Sequence, residues 1–421
     1  MIQLLNNRAD LWIHMRFKPS VLSLLIVIFI DSFGYFIVIP VLMRLLMPGS
    51  ESLLPADVSQ AYRNVLFGIA IAISPLASLI SAPIIGRLSD HYGRKPIMLI
   101  CLFGSIVGFA LPIFGIAISS LSLVFLGRFI AGGASSSQPV AQAAMADLSE
   151  GTQKAWYLSL MAFAMTAAMV LGPLAGGYLS DPHLVSWFNS KTPLYAACLL
   201  SILNWVLLKF TYYPVQKIQS KKTQSILSVF QKMCTMKIVT QLLLIMFLLE
   251  AGWSLYYQDL SLFFSQVYHF TPEHISDFMS YTGIVMGVGL LVIYPFYIRL
   301  ISMLNGLMIS LLGMSFGLVL AGLSDTVLLQ YIAAIPIALF TGFAYISLVT
   351  LISDEARREY QGWVMGAAMT MLYAAWMFTG LISGWLTNFA PRSPMLLASV
   401  FVLSGFGIFY YLSLHRQKII N

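Results

Sequence analysis

Charged side chains are scarce in this sequence. Its 421 residues include 23 Lys and Arg and 16 Asp and Glu, so only 9% are charged, whereas about 25% is usual in soluble domains. Apolar residues make up 59% of the chain, and the mean hydropathy is +0.85. One soluble core of this length could not bury so much apolar surface. The composition excludes a soluble globular domain and predicts a membrane protein.

Cysteine is also rare, and the short motifs of catalysis are missing. The three cysteines, Cys101, Cys198 and Cys234, are scattered along the chain, so neither a disulfide framework nor a metal cluster is predicted. The sequence has no nucleophile elbow, no cluster of metal ligands and no phosphate-binding loop. We therefore expect no enzymatic activity, no metal and no cofactor.

Long apolar runs, by contrast, are abundant. Twelve stretches of about 20 residues or more are each long enough to cross a hydrocarbon core of roughly 30 Å. They lie near residues 20–47, 65–86, 96–118, 121–146, 154–180, 192–213, 238–266, 275–297, 302–323, 326–352, 361–388 and 394–414. The residues before the first run lack the small-residue cleavage site of a secretion signal, so we expect this run to remain as a span. The sequence predicts an all-α membrane protein with twelve transmembrane helices.

The formal net charge of +7 is compatible with a nucleic-acid partner, but the positions of the cations argue against one. Most Lys and Arg lie in loops of one parity, and the loops of the other parity hold only Arg44, Arg63, Lys191 and Arg392. By the positive-inside rule, both termini and the central loop are cytoplasmic. We expect a protein of the bacterial inner membrane that has no nucleic-acid partner and functions as a monomer in the lipid bilayer.

The chain divides at its most polar connection. Residues 214–237 are predicted to form a cytoplasmic linker between an N-terminal six-helix bundle, residues 1–213, and a C-terminal six-helix bundle, residues 238–421. A six-span unit repeated in parallel would make the two bundles pseudo-symmetric.

Two alignments support this repeat. The segment from Asp147 matches the segment from Asp354 without a gap at a shift of 354 − 147 = 207, which places Gly177 on Gly384. Near the start of each bundle, Asp31 matches Glu250 at a shift of 250 − 31 = 219. The repeat therefore pairs an acidic residue of the first span with one of the seventh.

The second and third spans are joined by the charged segment GRLSDHYGRKPIML, residues 86–99. Glycine at 86 would let helices approach closely, and glycine at 93 would permit a tight turn. A carboxylate at 90 can pair with a cation or a helix N-terminus across the interface between the bundles. We predict a gating latch formed by Gly86, Asp90, Gly93, Arg94 and Lys95. The second half lacks this aspartate, so the latch is expected on one side only.

Three motifs together resemble a known family. The segment 86–99 resembles the signature between the second and third helices of the major facilitator transporters. Arg128 lies within an apolar span in FLGRFIAGGASSSQP, and VLGPLAGGYL supplies Gly172, Pro173, Gly176 and Gly177. The last motif is similar to the helix-packing antiporter signature of proton-coupled drug exporters of the tetracycline type. The resemblance implies two six-helix bundles with a substrate cavity between them.

Three ionisable residues lie deep within predicted spans. They are Asp31, Arg128 and Glu250. Residues of this kind are costly in a bilayer unless they are paired or hydrated, so we expect them to have a function. Because the first and fourth helices both line the cavity in transporters of this resemblance, we expect Asp31 and Arg128 to pair. In the second half, Ile335 aligns with Arg128, so Glu250 has no matching cation. Glu250 is therefore the preferred proton carrier, with Asp31 and Arg128 assisting; the alternative is a permanently neutral Glu250 that serves helix packing.

Amphipathic side chains near these charges suit a bulky and partly apolar ligand. We predict a substrate cavity lined by Gln138, Gln142, Trp253, Tyr256, Tyr257, Tyr345, Tyr373 and Trp376.

The leading functional hypothesis is a secondary active transporter that exports a small organic compound in exchange for protons. Drug-like molecules, metabolites and siderophores all remain candidate substrates. The third span, unlike that of tetracycline exporters, carries no acidic residue, so a tetracycline–metal chelate is not predicted. The alternatives are a proton-coupled importer or facilitator of a nutrient and a non-transporting sensor with the same fold.

Overall fold

The computed structural model describes residues 19–148, 152–213, 236–356 and 361–420, and these residues form helices and connecting turns without a β-strand. We label the twelve helical spans α1 to α12. They are α1 (Pro19–Leu46), α2 (Gln60–Tyr92), α3 (Arg94–Ala117), α4 (Leu121–Ala134 and Ser137–Asp147), α5 (Thr152–Tyr178), α6 (Thr192–Thr211), α7 (Lys237–Val267), α8 (Pro272–Val288, Gly289–Ile293 and Tyr294–Leu300), α9 (Met303–Leu323), α10 (Val327–Glu355), α11 (Gln361–Phe389) and α12 (Ser393–Ile420).

Eleven of these spans are long and apolar enough to cross a membrane as single helices. The exception is α4, which breaks at Ser135 and Ser136 into two shorter segments. Two serines of α2 donate hydrogen bonds to backbone carbonyls just before the break: Ser78 to that of Gly132 at 2.7 Å and Ser81 to that of Gly133 at 3.0 Å. These hydroxyls compete with the helical N–H groups for the same carbonyl oxygens. The all-α membrane fold is confirmed, and the fourth predicted span is realised as two helical pieces.

A second irregularity lies in α8, where one π-helical turn spans Gly289–Ile293. Pro295 lies two residues after this turn and has no N–H to donate to the preceding turn. The wider turn accommodates this missing hydrogen bond and divides α8 into two segments.

The bundle has two ends, which we name by their connections. The linker face carries the α2–α3 turn at Gly93 and the ends of α6 and α7, between which lie residues 214–235, outside the described part of the chain. The loop face carries the connections after α1, α5 and α7. Helix α7 begins at Lys237, within one residue of the predicted boundary, and the linker itself stays a prediction.

Some helices lie where the first six spans meet the last six, and their residues are more buried near the loop face than near the linker face. In α2, residues near the loop face such as Asn64, Phe67 and Ile71 are buried, whereas Ile84 and Tyr92 near the linker face are exposed. In α8, the first segment contains seven buried residues, whereas the last segment, Tyr294–Leu300, contains none. The two sets of helices are therefore closed together at the loop face and separated at the linker face.

Backbone contact holds the loop face closed along two seams. In the α2–α11 seam, a Cβ atom on Gly384 would overlap the carbonyl oxygen of Asn64, and one on Gly68 would overlap that of Gly380. In the α5–α8 seam, a Cβ atom on Gly177 would overlap the hydroxyl of Ser276. Gly177 and Gly384 are the residues that the repeat aligns, so the seams occupy equivalent positions in the two halves.

Polar side chains bridge the same seams. In the α2–α11 seam, Asn64 Nδ2 donates to Asn388 Oδ1 at 2.8 Å, and Gln266 Nε2 donates to Asn64 Oδ1 at 2.8 Å. Beside the α5–α8 seam, Arg44 at the end of α1 forms an ion pair with Glu273 at the start of α8. Opening the loop face must break these bonds as well as separate the glycines.

We predict that Gly384→Val opens the loop face. The added side chain must displace the backbone of Asn64, and overpacking of this kind costs about 1–3 kcal/mol. This cost destabilises only the conformation in which the loop face is closed. In a variant without native cysteines, spin labels at Leu184 and Asp325 should report a larger loop-face distance. Gly407→Val is the matched control, since a Cβ atom there has no neighbour within 4 Å. Unchanged distances in Gly384→Val would contradict this account of the seam.

Candidate functional site

Two buried carboxylates lie in the middle of the bundle, one from each set of six helices. Asp31 of α1 is 8% exposed, and Glu250 of α7 is 4% exposed. The hydroxyl of Ser137, the first residue of the second α4 segment, donates to Asp31 Oδ2. The indole Nε1 of Trp376 in α11 donates to Glu250 Oε2 at 3.0 Å. Each carboxylate therefore has a neutral hydrogen-bond donor as its partner.

The predicted ion pair between Asp31 and Arg128 is wrong for this conformation. Arg128 is 3% exposed and lies over the ring of Tyr35, with its guanidinium carbon 5.4 Å from the ring centre. Its position along α4 explains the difference. Ser137, which contacts Asp31, lies nine residues further along, or about 13 Å at 1.5 Å per residue. Arg128 is therefore closer to the loop face than Asp31 is.

Tyrosines connect the two carboxylates across the space between the bundles. Tyr373 of α11 lies within electrostatic range of Asp31, and Tyr345 of α10 lies within range of both Glu250 and Tyr373. Because α10 and α11 belong to the second set of helices, Asp31 faces side chains of the opposite set. Both acids therefore lie near tyrosines of the second set of helices.

Aromatic rings separate this site from the loop face. The aromatic layer comprises Tyr35, Phe36, Trp253, Tyr257 and Trp376. Ring centres lie 5.5 Å apart for Tyr35 and Trp376, 5.6 Å for Phe36 and Tyr257 and 5.3 Å for Trp253 and Tyr257. All three distances lie within the range of about 4.5–7 Å that is usual for favourable aromatic pairs. The layer lies on the loop-face side of the two carboxylates, and the half-buried side chains described next indicate a cavity that opens toward the linker face.

The predicted cavity residues fall into two groups. Five of the eight are half-buried, as expected for side chains that line an open cavity: Gln138, Gln142, Tyr345, Tyr373 and Trp376. Trp253 and Tyr257 are buried within the aromatic layer. Tyr256 is also fully buried, with its ring centre 6.1 Å from that of Trp253, and it lies within range of Tyr281 of α8. Its place in the substrate cavity stays a prediction.

The charged turn between α2 and α3 is tied to its own bundle in this conformation. Arg94 contacts Asp90 at 2.7 Å and Asp147 of α4 at 3.5 Å. Lys95 Nζ donates to the carbonyl oxygen of Tyr212 at the end of α6, at 2.6 Å. Gly93 has a φ of +94°, which a residue with a side chain rarely adopts.

The other residues of this turn face open space. A Cβ atom on Gly86 would meet no neighbour within 4 Å, so the predicted close helix approach at Gly86 is absent here. The Asp90 side chain is 67% exposed. A latch across the bundles therefore remains a prediction for a conformation in which the linker face is closed.

The glycines of the fifth-helix motif lie at close helix contacts. Cβ atoms on Gly172 and Gly176 would overlap Phe36 and the carbonyl oxygen of Ile37 in α1. Gly177 instead faces α8, as described above. Pro173 lies inside α5. The motif thus packs α5 against a helix of its own bundle on one side and against the second bundle on the other.

Another buried acid, Asp259, stands apart from Asp31 and Glu250. It is fully buried in α7, and Thr387 of α11 donates to its Oδ1 at 2.8 Å. It is nine residues from Glu250, which places the two side chains on opposite sides of the helix. Asp259 therefore serves as an internal reference for a buried carboxylate outside the cavity.

Several residues of the site were not predicted from the sequence. Tyr35 and Phe36 follow Asp31 by about one helical turn, a spacing that places them on neighbouring surfaces of α1. The serine run that ends at Ser137 is a recognisable helix-breaking signal. Arg44 and Glu273, by contrast, lie in separate halves, and no local pattern connects them.

An all-α bundle of membrane-spanning helices that surrounds a central, acid-containing cavity and is open at one face is characteristic of alternating-access membrane transporters. The sequence matches the family model described as Major Facilitator Superfamily over residues 21–380. The chain belongs to the major facilitator superfamily.

Its curated relatives include resistance proteins. The chain is 31% identical to the tetracycline resistance protein, class H, of Pasteurella multocida, over 39% of this chain and 38% of that protein. It is 24% identical to the quinolone resistance protein NorA of Staphylococcus aureus (strain MRSA252), over 84% and 88% of the two chains. The chain spans only 36% to 47% of the length of the tetracycline resistance proteins it matches.

Solved structures show the same fold at low sequence identity. The human organic anion transporter MFSD10 (TETRAN) superposes with a TM-score of 0.73 at 17% identity, covering 93% of this chain and 99% of that chain. A D-xylose-proton symporter superposes with a TM-score of 0.71 at 15% identity, covering 91% and 96%. These similarities establish the architecture.

The observed contacts predict which buried groups are energetically coupled. Asp31→Asn and Ser137→Ala should show a coupling of about 0.5–3 kcal/mol in a double-mutant cycle, because the side chains are in contact. The coupling free energy between Asp31→Asn and Arg128→Gln should be smaller. Unfolding of single and double variants in detergent measures both cycles. Stronger coupling to Arg128 than to Ser137 would restore the ion pair expected from the sequence.

Proposed function

We propose that this protein exports a small organic compound from the cytoplasm in exchange for protons. The observation that carries the proposal is the pair of buried carboxylates, Asp31 and Glu250, which the two halves of the repeat contribute to one cavity. Ionisable groups are expensive in a bilayer and are retained where they perform a function. Two acids beside a cavity that opens at one face at a time can exchange protons with each side in turn.

The proposed direction of transport uses the expected sidedness of the chain. If the linker face is cytoplasmic, as the positive-inside rule predicts, this conformation is open to the cytoplasm, as an exporter requires for loading. A compound from the cytoplasm can then reach the tyrosines and Trp376 at the closed end of the cavity. Separation of the two seams would release it on the outside. The similarity to quinolone, tetracycline and multidrug resistance proteins supports export of drug-like or related organic molecules.

Glu250 is the proposed proton carrier. Its partner, Trp376, donates one hydrogen bond, and within the described residues no cation lies at ion-pair distance from it. Burial without a cation favours the neutral carboxyl over the carboxylate. Rearrangement around Trp376 on substrate binding or on opening would therefore change the affinity of Glu250 for its proton. Asp31 and its partner Ser137 provide a second acid in the corresponding position of the first half.

The available energy suffices for concentrative export. One proton moving inward through about 150 mV releases roughly 3.5 kcal/mol. This energy sustains a gradient of about 300-fold in a neutral compound exchanged one for one.

Replacement of Glu250 by Gln should uncouple transport from protons. The variant keeps a neutral polar side chain for Trp376, so it should bind substrate and equilibrate it downhill. It should not accumulate substrate in inverted vesicles energised by a proton gradient. Flux of a panel of organic compounds measures both properties.

Asp259→Asn is the matched control, because it removes a buried acid of the same helix outside the cavity and should retain uphill transport once folded. Full uphill transport by Glu250→Gln, with loss in Asp31→Asn, would assign the carrier role to Asp31. Accumulation that runs only in the same direction as the protons would identify an importer.

We also propose that Asp90 forms the latch when the cytoplasmic face closes. Its side chain is exposed here and shares Arg94 with Asp147, so it is available to a partner on the other bundle. A contact made in only one conformation shifts the balance between conformations by its own free energy.

Asp90→Asn should therefore favour the conformation open to the cytoplasm. Loss of a charge-assisted contact in the other state corresponds to about 1.5–3 kcal/mol. Spin labels at Tyr92 and Leu300, both exposed at the linker face, should report a larger fraction of long distances. Asp57→Asn, on the loop face, is the control. Equal distance distributions in Asp90→Asn and the parent protein would refute the latch.

A further inference from the structure

Arg128 carries a buried charge for which the described residues supply no counter-charge. Its Nη2 atom is buried and has no hydrogen-bond partner, and its Nε makes one long contact of 3.4 Å with the carbonyl oxygen of Ala70. Among the described residues, no carboxylate lies within ion-pair distance. Removing a guanidinium from water without an anion is costly, so this arrangement favours binding of an anion.

The charge lies at the closed end of the cavity. Tyr35, over which the guanidinium stacks, is half-buried and belongs to the aromatic layer. The Tyr35 ring also contacts Trp376 at a centre-to-centre distance of 5.5 Å. A ligand that enters from the linker face and reaches the layer therefore arrives at Tyr35, the ring over which Arg128 stacks.

A second polar atom at this position is also unsatisfied. The Tyr35 hydroxyl is buried and has no hydrogen-bond partner. A phenol and a guanidinium both donate hydrogen bonds, and both groups bind carboxylate oxygens readily. Two unused donors on adjacent side chains match one acidic group of a ligand.

The nearest acids do not serve as substitutes. Asp31 accepts its hydrogen bond from Ser137, and Glu250 accepts its own from Trp376. When both acids carry a proton, the cavity retains the positive charge of Arg128 without compensation. The cavity then selects for ligands with one negative charge and an apolar, aromatic body.

We propose that the transported compound is an amphipathic organic anion whose carboxylate binds Arg128 Nη2 and the Tyr35 hydroxyl. This inference rests on the proposed function and specifies its substrate class. It has an electrical consequence: a monoanion leaving in exchange for an entering proton moves two positive charges inward per cycle. Export should then respond to membrane potential more steeply than exchange of a neutral compound does.

Three probes of one shape and different charge test the proposal: 2-naphthoate, 2-naphthamide and 2-naphthamidinium. Binding to the full-length protein in nanodiscs is measured by calorimetry in a buffer without chloride. We expect 2-naphthoate to bind most tightly. Arg128→Gln should weaken 2-naphthoate binding by at least about 30-fold, as loss of a buried charge partner does, and leave 2-naphthamide nearly unchanged.

Two conservative variants keep the test decisive if Arg128→Gln does not fold. Arg128→Lys retains the charge but loses the planar guanidinium, so it should weaken 2-naphthoate binding by less than the Gln variant does. Tyr35→Phe removes only the hydroxyl and should weaken it by about tenfold, as expected for a hydrogen bond to a charged group. Weaker binding of 2-naphthoate in both variants, with unchanged binding of the other two probes, supports an anion site at Arg128 and Tyr35.

Several results would overturn the proposal. Equal binding of the three probes, preference for 2-naphthamidinium, or no binding of any probe excludes an organic anion site. Competition by chloride that abolishes 2-naphthoate binding would show that Arg128 holds an inorganic ion instead. Proton-driven export of 2-naphthamidinium or 2-naphthamide, lost in Glu250→Gln, would leave the proposed function intact and refute the anion assignment alone.

Discussion

Close backbone contact at the loop face is the constraint on which the rest of this structure depends. Gly68, Gly384 and Gly177 allow helices of the two bundles to approach until no side chain fits between them. Dispersion contacts of this kind are the main driving force for helix association in lipid. With that face closed, the aromatic layer becomes the end of a cavity, and Asp31 and Glu250 face the linker side. The same contacts can be broken without unfolding either bundle, because each bundle keeps its own internal packing.

The scarcity of charge gives each buried ionisable group a distinct status. Asp31, Glu250 and Asp259 each accept a hydrogen bond from a neutral donor, an arrangement compatible with a protonated acid in a dry interior. Arg128 cannot become neutral in this way. Near the centre of the bundle, acids that can gain or lose protons are therefore combined with a permanent cation, Arg128, and this asymmetry underlies both the proton coupling and the substrate class proposed here.

Sequence analysis recovered the helices better than it recovered the contacts of the site. It predicted both carboxylates, the half-buried tyrosines Tyr345 and Tyr373, and the equivalence of Gly177 and Gly384. It was wrong about the partner of Arg128. Sequence spacing within α4 does not state how far along the bundle Arg128 lies relative to Asp31 of α1.

The sequence by itself determined that the chain is an all-α membrane protein built as a repeat, because span length, hydropathy and internal similarity are properties of contiguous segments. It also predicted which face is cytoplasmic, since the Lys and Arg bias is read along the chain. Only the tertiary structure decided which face is closed and which groups meet there. Arg44 with Glu273, and Asn64 with Asn388, join residues hundreds of positions apart. Such contacts depend on how twelve helices are rotated and tilted against one another, and no local pattern encodes that geometry.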